Sequence, residues 1–251
     1  HTLVVTLRDQ TEYLAAELAG APAPLLLVQP VDRGTAAAVL FAAHRICWWD
    51  PEATIALFPS DHFVLEETVF MGHVVNLAAV VRQCPGWCIL LGAQPTHPET
   101  EYGWIEPGEP LGETASGPLY RVRRFWEKPS LETARACLAA GCLWNTFVMV
   151  VKASTLIDLG RQFLPDLHSQ FVRIGRFADT EDEPPAIQEA YRVVANADFS
   201  HTILGRCPSF LVVSRLPALT WCDLGTPERV LKSLSRIGVT PPWAAAVESR
   251  K

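Results

Sequence analysis

The chain has 251 residues, of which 49% are hydrophobic and 19% charged, the balance of a globular protein with one substantial core. Its net charge of −6, with no basic run longer than 121–124, excludes extended binding to a nucleic-acid backbone. No apolar run approaches the ~18 residues of a membrane span, so neither a nucleic acid nor a membrane is expected as a partner.

Short apolar runs alternate with helical patterns over the first 92 residues. Strands are predicted at 2–6, 25–29, 54–58 and 87–92, and helices at 11–18, 35–48 and 67–82. Strand 25–29 is apolar without alternation, which is typical of a strand buried on both faces. Short connections between alternating strands and helices indicate an α/β fold with a doubly wound, mostly parallel sheet.

The pattern changes after residue 100. A small antiparallel ribbon is predicted from strands at 103–105 and 119–126, separated by a Gly/Pro-rich loop over 107–118. Further helices are predicted at 131–140 and 227–236, helical stretches near 187–206, and strands at 145–151 and 209–214. The acidic, proline-containing segment 179–185 is predicted to be a loop with freedom to move.

Seven cysteines stand at positions 47, 84, 88, 137, 142, 207 and 222. An odd number without a C-x-x-C pair argues against a disulfide framework and against a zinc site. Buried or free thiols in a reducing cytoplasm are therefore expected.

Polar side chains follow several of the predicted strands. Asp61, Lys128, Asn145 and Asp223 are each expected at the carboxyl end of a different strand, where ligands bind in an open α/β sheet. Two carboxylates suit a divalent cation, and a lysine beside them suits a phosphate. This combination indicates phosphoryl or nucleotidyl transfer.

Structural explanations exist for the same residues. Asp61 follows a serine between a strand and a helix, where both side chains commonly cap helix N-termini. Asp223 is a carboxylate in apolar surroundings, and a pair with Arg229 would satisfy it as well as a cation. Glu127 and Lys128 could form no more than an exposed ion pair, worth about 0–1 kcal/mol. From the residues alone, both sets of explanations stay open.

A family resemblance runs through these segments. In chain order they read VQPVDRGTAAAVLFAA, LFPSDHFV, THPETEYGWIEPG, RRFWEKPSLETA, GCLWNTFVMVVKAST and LTWCDLGTPERV, and they span about Gln29 to Val230. Their order and intervals resemble the sugar-1-phosphate nucleotidyltransferases, and most of all the mannose-1-phosphate guanylyltransferases. The resemblance implies a Rossmann-like nucleotidyltransferase fold and transfer of a nucleotidyl group from GTP to mannose-1-phosphate, with release of pyrophosphate.

The resemblance also implies roles for individual residues. Asp61 and Asp223 match the aspartates that bind the catalytic Mg²⁺, and Lys128 matches the lysine that contacts the sugar-linked phosphate. Glu127 and Asn145 match residues that hydrogen-bond the sugar hydroxyls. Catalysis is therefore expected from the two aspartates and the lysine, with Mg²⁺ as the cofactor.

Other positions are expected to bind substrate. The expected nucleobase pocket consists of Gln29, Arg33, Gly34 and Thr35. A glutamine amide offers donor and acceptor to a base edge, a glycine lets the base lie against backbone, and Thr35 caps a helix whose N-terminus has free N–H groups. Gly103 is expected to let the backbone approach the sugar, and His62 to orient its neighbours rather than to bind metal.

One family segment is not found ahead of strand 2–6. The family's first strand carries a GGxGxRxxP loop, whereas HTLVVT at the start of this chain resembles the family's second strand. We therefore expect a single nucleotidyltransferase domain over 1–251, incomplete at its N-terminus and without an added β-helix or cupin domain. Because that loop supplies donors to the leaving pyrophosphate, we expect little pyrophosphate release from this chain and weak binding of GDP-mannose.

Three functions stay open at this point. The first is a guanylyltransferase, and the second is the same class with another sugar or base, such as a glucose-1-phosphate thymidylyltransferase. The third is a non-catalytic homologue that binds a sugar nucleotide. The chain departs from the guanylyltransferase pattern at Gly34, where the family has asparagine, and at 146–148, where it has Ser-Gly-Met. Expected partners are GTP and a sugar-1-phosphate, and a homodimer is allowed for.

Overall fold

The computed structural model describes residues 1–17 and 24–244. The strands are β1 (Leu3–Leu7), β2 (Leu25–Gln29), β3 (Thr54–Leu57), β4 (His62–Val64), β5 (Cys88–Ala93), β6 (Trp104–Thr114), β7 (Gly117–Trp126), β8 (Leu143–Lys152), β9 (Leu211–Arg215) and β10 (Trp221–Asp223). The helices are α1 (Thr11–Glu17), α2 (Thr35–Trp49), α3 (Glu67–Gln83), α4 (Leu131–Ala139), α5 (Ala153–Phe163), α6 (Pro165–Gly175), α7 (Glu183–Val193), α8 (Phe199–Thr202) and α9 (Pro227–Arg236). Leu18, the last residue of the first predicted helix, lies outside the described residues. Within the described ranges, no helix has the length and apolar character needed to cross a membrane.

Six strands form the central sheet, in the order β3-β8-β5-β9-β7-β6. The α/β class is confirmed, but the expected mostly parallel pairing is wrong: β5 and β9 pair in parallel, whereas the other pairings within this sheet are antiparallel. Strands β3, β5, β6 and β9 share one direction, and β7 and β8 are inserted between them in the opposite direction. The alternation of strands and helices up to residue 92 could not reveal this insertion, because both opposing strands come later in the chain.

Alternate residues of the central strands enter two different cores. In β5, Leu90 packs into a core shared with α2 and α5 to α8, whereas Ile89 and Leu91 pack into a core shared with α3. Met149 and Val150 of β8 alternate in the same way, and all five side chains are fully buried. Burial of such a side chain contributes ~1.5–3 kcal/mol, so the strand ends that carry the site rest on a sheet fixed from both faces.

Strands β1 and β2 form a separate parallel pair, with Leu3 opposite Leu25. β2 has the predicted bounds and β1 begins and ends one residue later than predicted, but β2 is not buried on both faces. Leu25 and Leu26 are exposed, and Leu27 alone among these three leucines enters the core beside α2. The apolar run 25–29 therefore predicts the strand correctly and its burial incorrectly.

The Gly/Pro-rich segment 107–118 is not the predicted loop. Strand β6 continues through it to Thr114, and a turn at 115–116 joins β6 to β7. Register shifts around Pro107 and Pro110 absorb the two prolines. Since β6 is the last strand in the sheet order, a proline there removes no N–H that a further strand would need.

The acidic segment 179–185 is tied to α2 at two points. Arg45 donates hydrogen bonds to Asp179 Oδ1 at 2.6 Å and to Glu183 Oε1 at 2.8 Å. The Arg45 side chain is largely buried, so both carboxylates are needed to satisfy its charge. Helix α7 begins at Glu183, and the predicted loop therefore ends at residue 182 and is anchored at both ends.

Candidate functional site

The start of β6, the end of β7 and the start of β8 lie side by side, because β6 pairs with both of the other strands. Gly103 immediately precedes β6, Glu127 follows β7, and Asn145 is near the start of β8. A side-chain carbon on residue 103 would lie 3.0 Å from Glu127 Oε2 and 3.1 Å from Asn145 Cβ. The Gly103 carbonyl accepts a hydrogen bond from the Asn145 N–H at 2.7 Å. The structure thus brings these three predicted sugar contacts together around a glycine that leaves them room.

Asn145 lies at the start of β8 and not at the carboxyl end of a strand, so that prediction is wrong. Because β8 runs antiparallel to β5, its start adjoins the end of β5, and Asn145 lies opposite Gly92. The register then shifts, Phe147 adopts a φ of 59°, and its N–H donates to Asn145 Oδ1 at 3.1 Å. This bulge occupies the amide oxygen of Asn145 and leaves its amide NH₂ for a ligand.

Lys128 has a left-handed backbone conformation, with a φ of 43°. Residues other than glycine adopt this conformation rarely, at a cost of ~1 kcal/mol or more. The side chain is exposed and follows Glu127 directly, where the chain turns into α4. Strain of this kind is retained where a side chain must be held in one direction, which is consistent with a phosphate contact.

The carboxyl group of Glu127 is perturbed. Burial, and after it the negative charge of Asp198, raise the pKa of Glu127 to about 7, against smaller opposing effects of Lys128 and Ser200. A carboxyl group with this pKa is partly protonated at neutral pH, so it presents an O–H donor as well as acceptor oxygens. Sugar hydroxyls donate and accept, and this group can match both.

The predicted base-pocket residues contact the segment 191–200, mainly through hydrogen bonds. Gln29 is buried at the end of β2, and its Oε1 accepts a hydrogen bond from the Tyr191 hydroxyl at 3.0 Å. Arg33 Nε donates to the Tyr191 carbonyl at 2.8 Å. The Gln29 oxygen and one Arg33 donor are thus used within the protein, and the Gln29 NH₂ and the other guanidinium N–H groups are the donors left for a nucleotide.

Gly34 and Thr35 begin α2 against the same segment. Gly34 has a φ of 78°, and a Cβ there would lie 2.4 Å from the Ala197 carbonyl oxygen, so backbone packing alone requires the glycine. Thr35 is not the predicted N-cap, because Gly34 occupies that position. The Thr35 Oγ1 instead bonds Asp198 Oδ2 at 3.1 Å and accepts the Phe199 N–H at 2.8 Å. A capping rule that considers only neighbouring residues cannot predict partners this remote in sequence.

Strands β4 and β10 form a short antiparallel ribbon, the acid ribbon, which carries Asp61, His62 and Asp223. His62 lies opposite Asp223, and the Asp61 carbonyl accepts the Leu224 N–H at 2.6 Å. His62 Nδ1 accepts a hydrogen bond from Trp221 Nε1 at 3.3 Å, and burial lowers the pKa of His62. Asp61 directly precedes β4 and Asp223 ends β10, so the two predicted acids lie at the same end of this ribbon.

The carboxylate of Asp223 is held by two side chains. The Tyr102 hydroxyl donates to Oδ1, and Arg229 Nη1 donates to Oδ1 at 3.0 Å and to Oδ2 at 2.8 Å. Arg229 Nη2 donates to Glu99 Oε2 at 2.6 Å. The pairing of Asp223 with Arg229, one of the explanations that the sequence leaves open, is therefore confirmed.

Asp61 and Asp223 offer the oxygen ligands that Mg²⁺ prefers. Asp61 is exposed in the turn before β4, and Asp223 Oδ2 accepts a single hydrogen bond from Arg229. Residues 1–17 and 24–244 contain no group of three or more His, Cys, Asp or Glu arranged to hold a metal. Mg²⁺ usually retains waters and shares substrate phosphates with one or two carboxylates, so the residues fit it, and their ligand role stays a prediction.

Tyr102 and Asp198 connect the three groups of predicted residues. Tyr102 directly precedes Gly103, a predicted sugar contact, and bonds Asp223. Asp198 bonds Thr35, and its charge acts on Glu127. Sequence reasoning missed both, because neither follows a predicted strand. For Tyr102 a signal existed, since it lies within the matched segment THPETEYGWIEPG.

A surface hollow of about 400 Å³ adjoins Glu127. Its lining consists of Phe125, Trp126, Glu127, Pro129, Thr133, His201, Gly205 and Arg206. This volume is within the range of small-molecule sites, and of the predicted site residues it includes Glu127. The hollow extends the site towards α4 and α8.

Comparisons with known proteins show which family the chain is similar to. The nucleotidyl transferase family model matches residues 1–237. The xanthan biosynthesis protein XanB of Xanthomonas campestris pv. campestris (strain B100) is 34% identical over 169 residues, which are 66% of this chain and 34% of XanB. A mannose-1-phosphate guanylyltransferase of Sinorhizobium fredii (strain NBRC 101917 / NGR234) is 29% identical over 237 residues, 92% of this chain and 44% of that protein. The chain thus spans between a third and a half of the length of these relatives.

A solved structure has the same fold. The crystal structure of mannose-1-phosphate geranyltransferase from Thermus thermophilus superposes with a TM-score of 0.77 at 26% identity, covering 96% of this chain and 65% of that one. The family match includes every predicted site residue, from Gln29 to Asp223. The chain belongs to the nucleotidyl transferase family.

Proposed function

We propose that this chain forms the nucleotidyl-transfer site of a mannose-1-phosphate guanylyltransferase. Such an enzyme transfers a guanylyl group from GTP to mannose-1-phosphate and releases pyrophosphate. The observation that carries the proposal is the junction of Gly103, Glu127 and Asn145, linked to the acid ribbon through Tyr102. The guanylyltransferase named among the relatives supports the choice of substrates.

The sugar phosphate would occupy the junction of strand ends. Glu127 and the Asn145 NH₂ would bind its hydroxyls, and Gly103 gives the ring access to backbone. Lys128, held by its left-handed turn beside Glu127, would contact the phosphate. At the other end, the free donors of Gln29 and Arg33 would bind the nucleotide.

The reaction needs no nucleophile from the protein. A phosphate oxygen of the sugar-1-phosphate attacks the α-phosphorus of GTP, the bond from that phosphorus to the bridging oxygen breaks, and pyrophosphate leaves with the electron pair. Positioning and neutralisation of charge account for most of the catalysis in such transfers. Asp61 and Asp223 would hold Mg²⁺, which when bound neutralises charge on the reacting phosphate.

The departure from the guanylyltransferase pattern at 146–148 is compatible with this assignment. Phe147 replaces the glycine of the family pattern but keeps a φ of 59°, a conformation that glycine adopts at little cost. A glycine at 147 would fit the same bulge, which presents Asn145. Residue 147 therefore does not argue against a guanylyltransferase, and a thymidylyltransferase stays the second candidate.

A binding panel tests the proposal. The purified chain would be titrated with GDP-mannose, dTDP-glucose and UDP-glucose by calorimetry in the presence of Mg²⁺, beside an assay of pyrophosphate release from GTP and mannose-1-phosphate. We expect GDP-mannose to bind most tightly and Glu127→Ala to weaken it at least tenfold. Preference for dTDP-glucose would favour the second candidate, and no binding of any nucleotide sugar would overturn the assignment.

We also propose a cytoplasmic location, which all seven cysteines support. All seven lie among the described residues, and each is a free thiol. Free thiols persist in a reducing compartment. A homodimer stays a prediction, to be tested by light scattering on the purified chain.

A further inference from the structure

Arg229 pairs with both carboxylate oxygens of Asp223, the residue to which the proposed function gives a metal. Arg229 Nη1 donates to both carboxylate oxygens of Asp223, and the Tyr102 hydroxyl donates to Oδ1. A carboxylate has about four lone-pair positions, and three of them are engaged here. A dication on Asp223 would also lie beside a guanidinium charge, because Nη1 is 2.8 Å from Oδ2. Arg229 and a divalent cation therefore compete for the same carboxylate.

Arg229 has a second anchor that does not involve Asp223. Its Nη2 donates to Glu99 Oε2 at 2.6 Å, and its guanidinium carbon lies 4.7 Å from the centre of the Tyr102 ring. Glu99 is itself fixed, since its Oε1 accepts the N–H groups of Thr100 at 2.8 Å and Glu101 at 3.0 Å. Loss of the Asp223 contact would therefore leave the guanidinium paired and stacked, which makes the exchange feasible without burying an unpaired charge.

We propose that Arg229 neutralises Asp223 while no metal is bound. When a divalent cation binds, Arg229 releases this carboxylate and stays anchored on Glu99. The inference rests on the metal role proposed above for Asp223. Arg229 Nη1, once it has left Asp223, becomes a free N–H donor next to the metal, where the proposed function places substrate phosphates. An arginine N–H is suited to that second task, because it forms a charge-assisted hydrogen bond with a phosphate oxygen. Arg229 is thus a positioning residue in the metal-free protein and a phosphate ligand once metal is bound.

Direct metal binding tests the exchange without requiring turnover. The full chain would be titrated with Mn²⁺, and free Mn²⁺ followed by electron paramagnetic resonance. Arg229→Gln removes the competing charge, so we expect its affinity for Mn²⁺ to be at least fivefold higher than that of the wild type. Arg229→Lys keeps a positive charge but cannot hold Glu99 and Asp223 with two separate nitrogens, so an intermediate affinity is expected.

Two controls distinguish competition for Asp223 from the general effect of removing a positive charge. Arg161→Gln removes an exposed arginine that pairs with Asp158 on a remote helix, and it should leave the affinity for Mn²⁺ unchanged. Asp223→Asn in the Arg229→Gln background should abolish the gain. If Arg229→Gln binds Mn²⁺ no better than the wild type while Asp223→Asn weakens binding, the exchange is wrong and the metal site stands. If Asp223→Asn leaves Mn²⁺ binding unchanged, the metal assignment in the proposed function fails.

A measurement on the wild type avoids any effect of the substitutions on folding. Arginine Nε–H resonances would be followed by nuclear magnetic resonance during titration with Mg²⁺ alone. We expect the Arg229 signal to shift with the occupancy of the metal site and the Arg161 signal to stay in place. An Arg229 signal that does not move at saturating Mg²⁺ would show a permanent structural ion pair and overturn the exchange.

Discussion

Glu127 is a side chain of the site whose protonation state changes near neutral pH. Its pKa is raised from an ordinary value of 4.5 to about 7, by burial first and then by the charge of Asp198. Between these two values the folded protein keeps a proton that the unfolded chain releases. The contribution of Glu127 to the free energy of unfolding is therefore fully present below about pH 4.5 and is lost as pH rises through 7.

Glu127→Gln should remove this pH dependence. Glutamine resembles the protonated carboxyl group at every pH, so the decrease in stability between pH 5 and pH 8 should become smaller by ~1–2 kcal/mol after allowance for solvent screening. Urea unfolding of both proteins at pH 5, 6, 7 and 8 measures the difference. Parallel curves for the two proteins would mean that Glu127 titrates normally.

Lys128→Ala should weaken binding of the sugar-1-phosphate and leave GTP binding nearly unchanged. The loss of one charge-assisted hydrogen bond predicts about a tenfold effect. Since alanine and lysine bear a similar cost in the left-handed conformation at this position, the fold should be unaffected. Calorimetric titration with each substrate separately provides the measurement, with the exposed Lys232→Ala as a matched control. An effect confined to GTP would mean that Lys128 faces the nucleotide.

At the start of α2, the backbone of residues 196–198 determines which residues can stand at 34 and 35. The Ala197 carbonyl accepts the Ala36 N–H at 3.0 Å, and the Arg33 carbonyl accepts the Ala197 N–H at 3.1 Å. Gly34 fits between them with a φ of 78°. The predicted nucleotide contacts therefore depend on a segment more than 160 positions away in sequence.

Gly34→Ala should destabilise the protein by ~2 kcal/mol or more. The new Cβ would meet the Ala197 carbonyl oxygen at 2.4 Å, and alanine disfavours a positive φ. Gly72→Ala is the matched control, because it lies within α3 with no atom within 4 Å of a new Cβ, and it should be neutral or stabilising. Thermal melts of both variants give the comparison, and equal melting temperatures would contradict the role assigned to residues 196–198.

Helix and strand positions could be read from local patterns, whereas their pairing could not. Helix α9 has the predicted bounds of 227–236, and its N-cap Thr226 accepts the Arg229 N–H at 3.3 Å, as a local rule anticipates. By contrast, Pro107 and Pro110 suggest a loop, and it is edge position and register shifts that allow β6 to continue through them. Similarly, the N-cap rule fails at Thr35 because its hydroxyl binds Asp198 instead.

The candidate site shows the same division. Asp61, Glu127 and Asp223 could be found because each ends or follows a strand within a matched segment. Asp198 could not, because it comes close to Glu127 only once the chain has folded. Local sequence thus identifies residues with a chemical task, and long-range packing identifies those that set their electrostatics.

Taken as a whole, the molecule has cysteines in two kinds of environment. Cys88, Cys137, Cys142 and Cys207 are buried, whereas Cys47, Cys84 and Cys222 are partly exposed. Burial raises the pKa of the Cys142 and Cys207 thiols to about 12. Thiolate, the reactive form, is therefore scarce in the buried set.

Titration with a thiol reagent at pH 7.5 should show two classes. Up to three thiols should react in the folded protein, and all seven should react in guanidinium chloride. The slow class should appear at the rate of global unfolding, since its members lie in the packed cores. Rapid reaction of more than three thiols without denaturant would show that these cores open locally.

The acid ribbon has a consequence for the order of folding. His62 and Trp221 meet although they are 159 positions apart in sequence, and the ribbon has three residue pairs. Closing so long a loop costs chain entropy, and a ribbon of three residue pairs offsets little of that cost. We therefore expect the two acids to come together late, after the central sheet has formed. In refolding from urea, capture of Mn²⁺ should lag behind the recovery of far-ultraviolet circular dichroism.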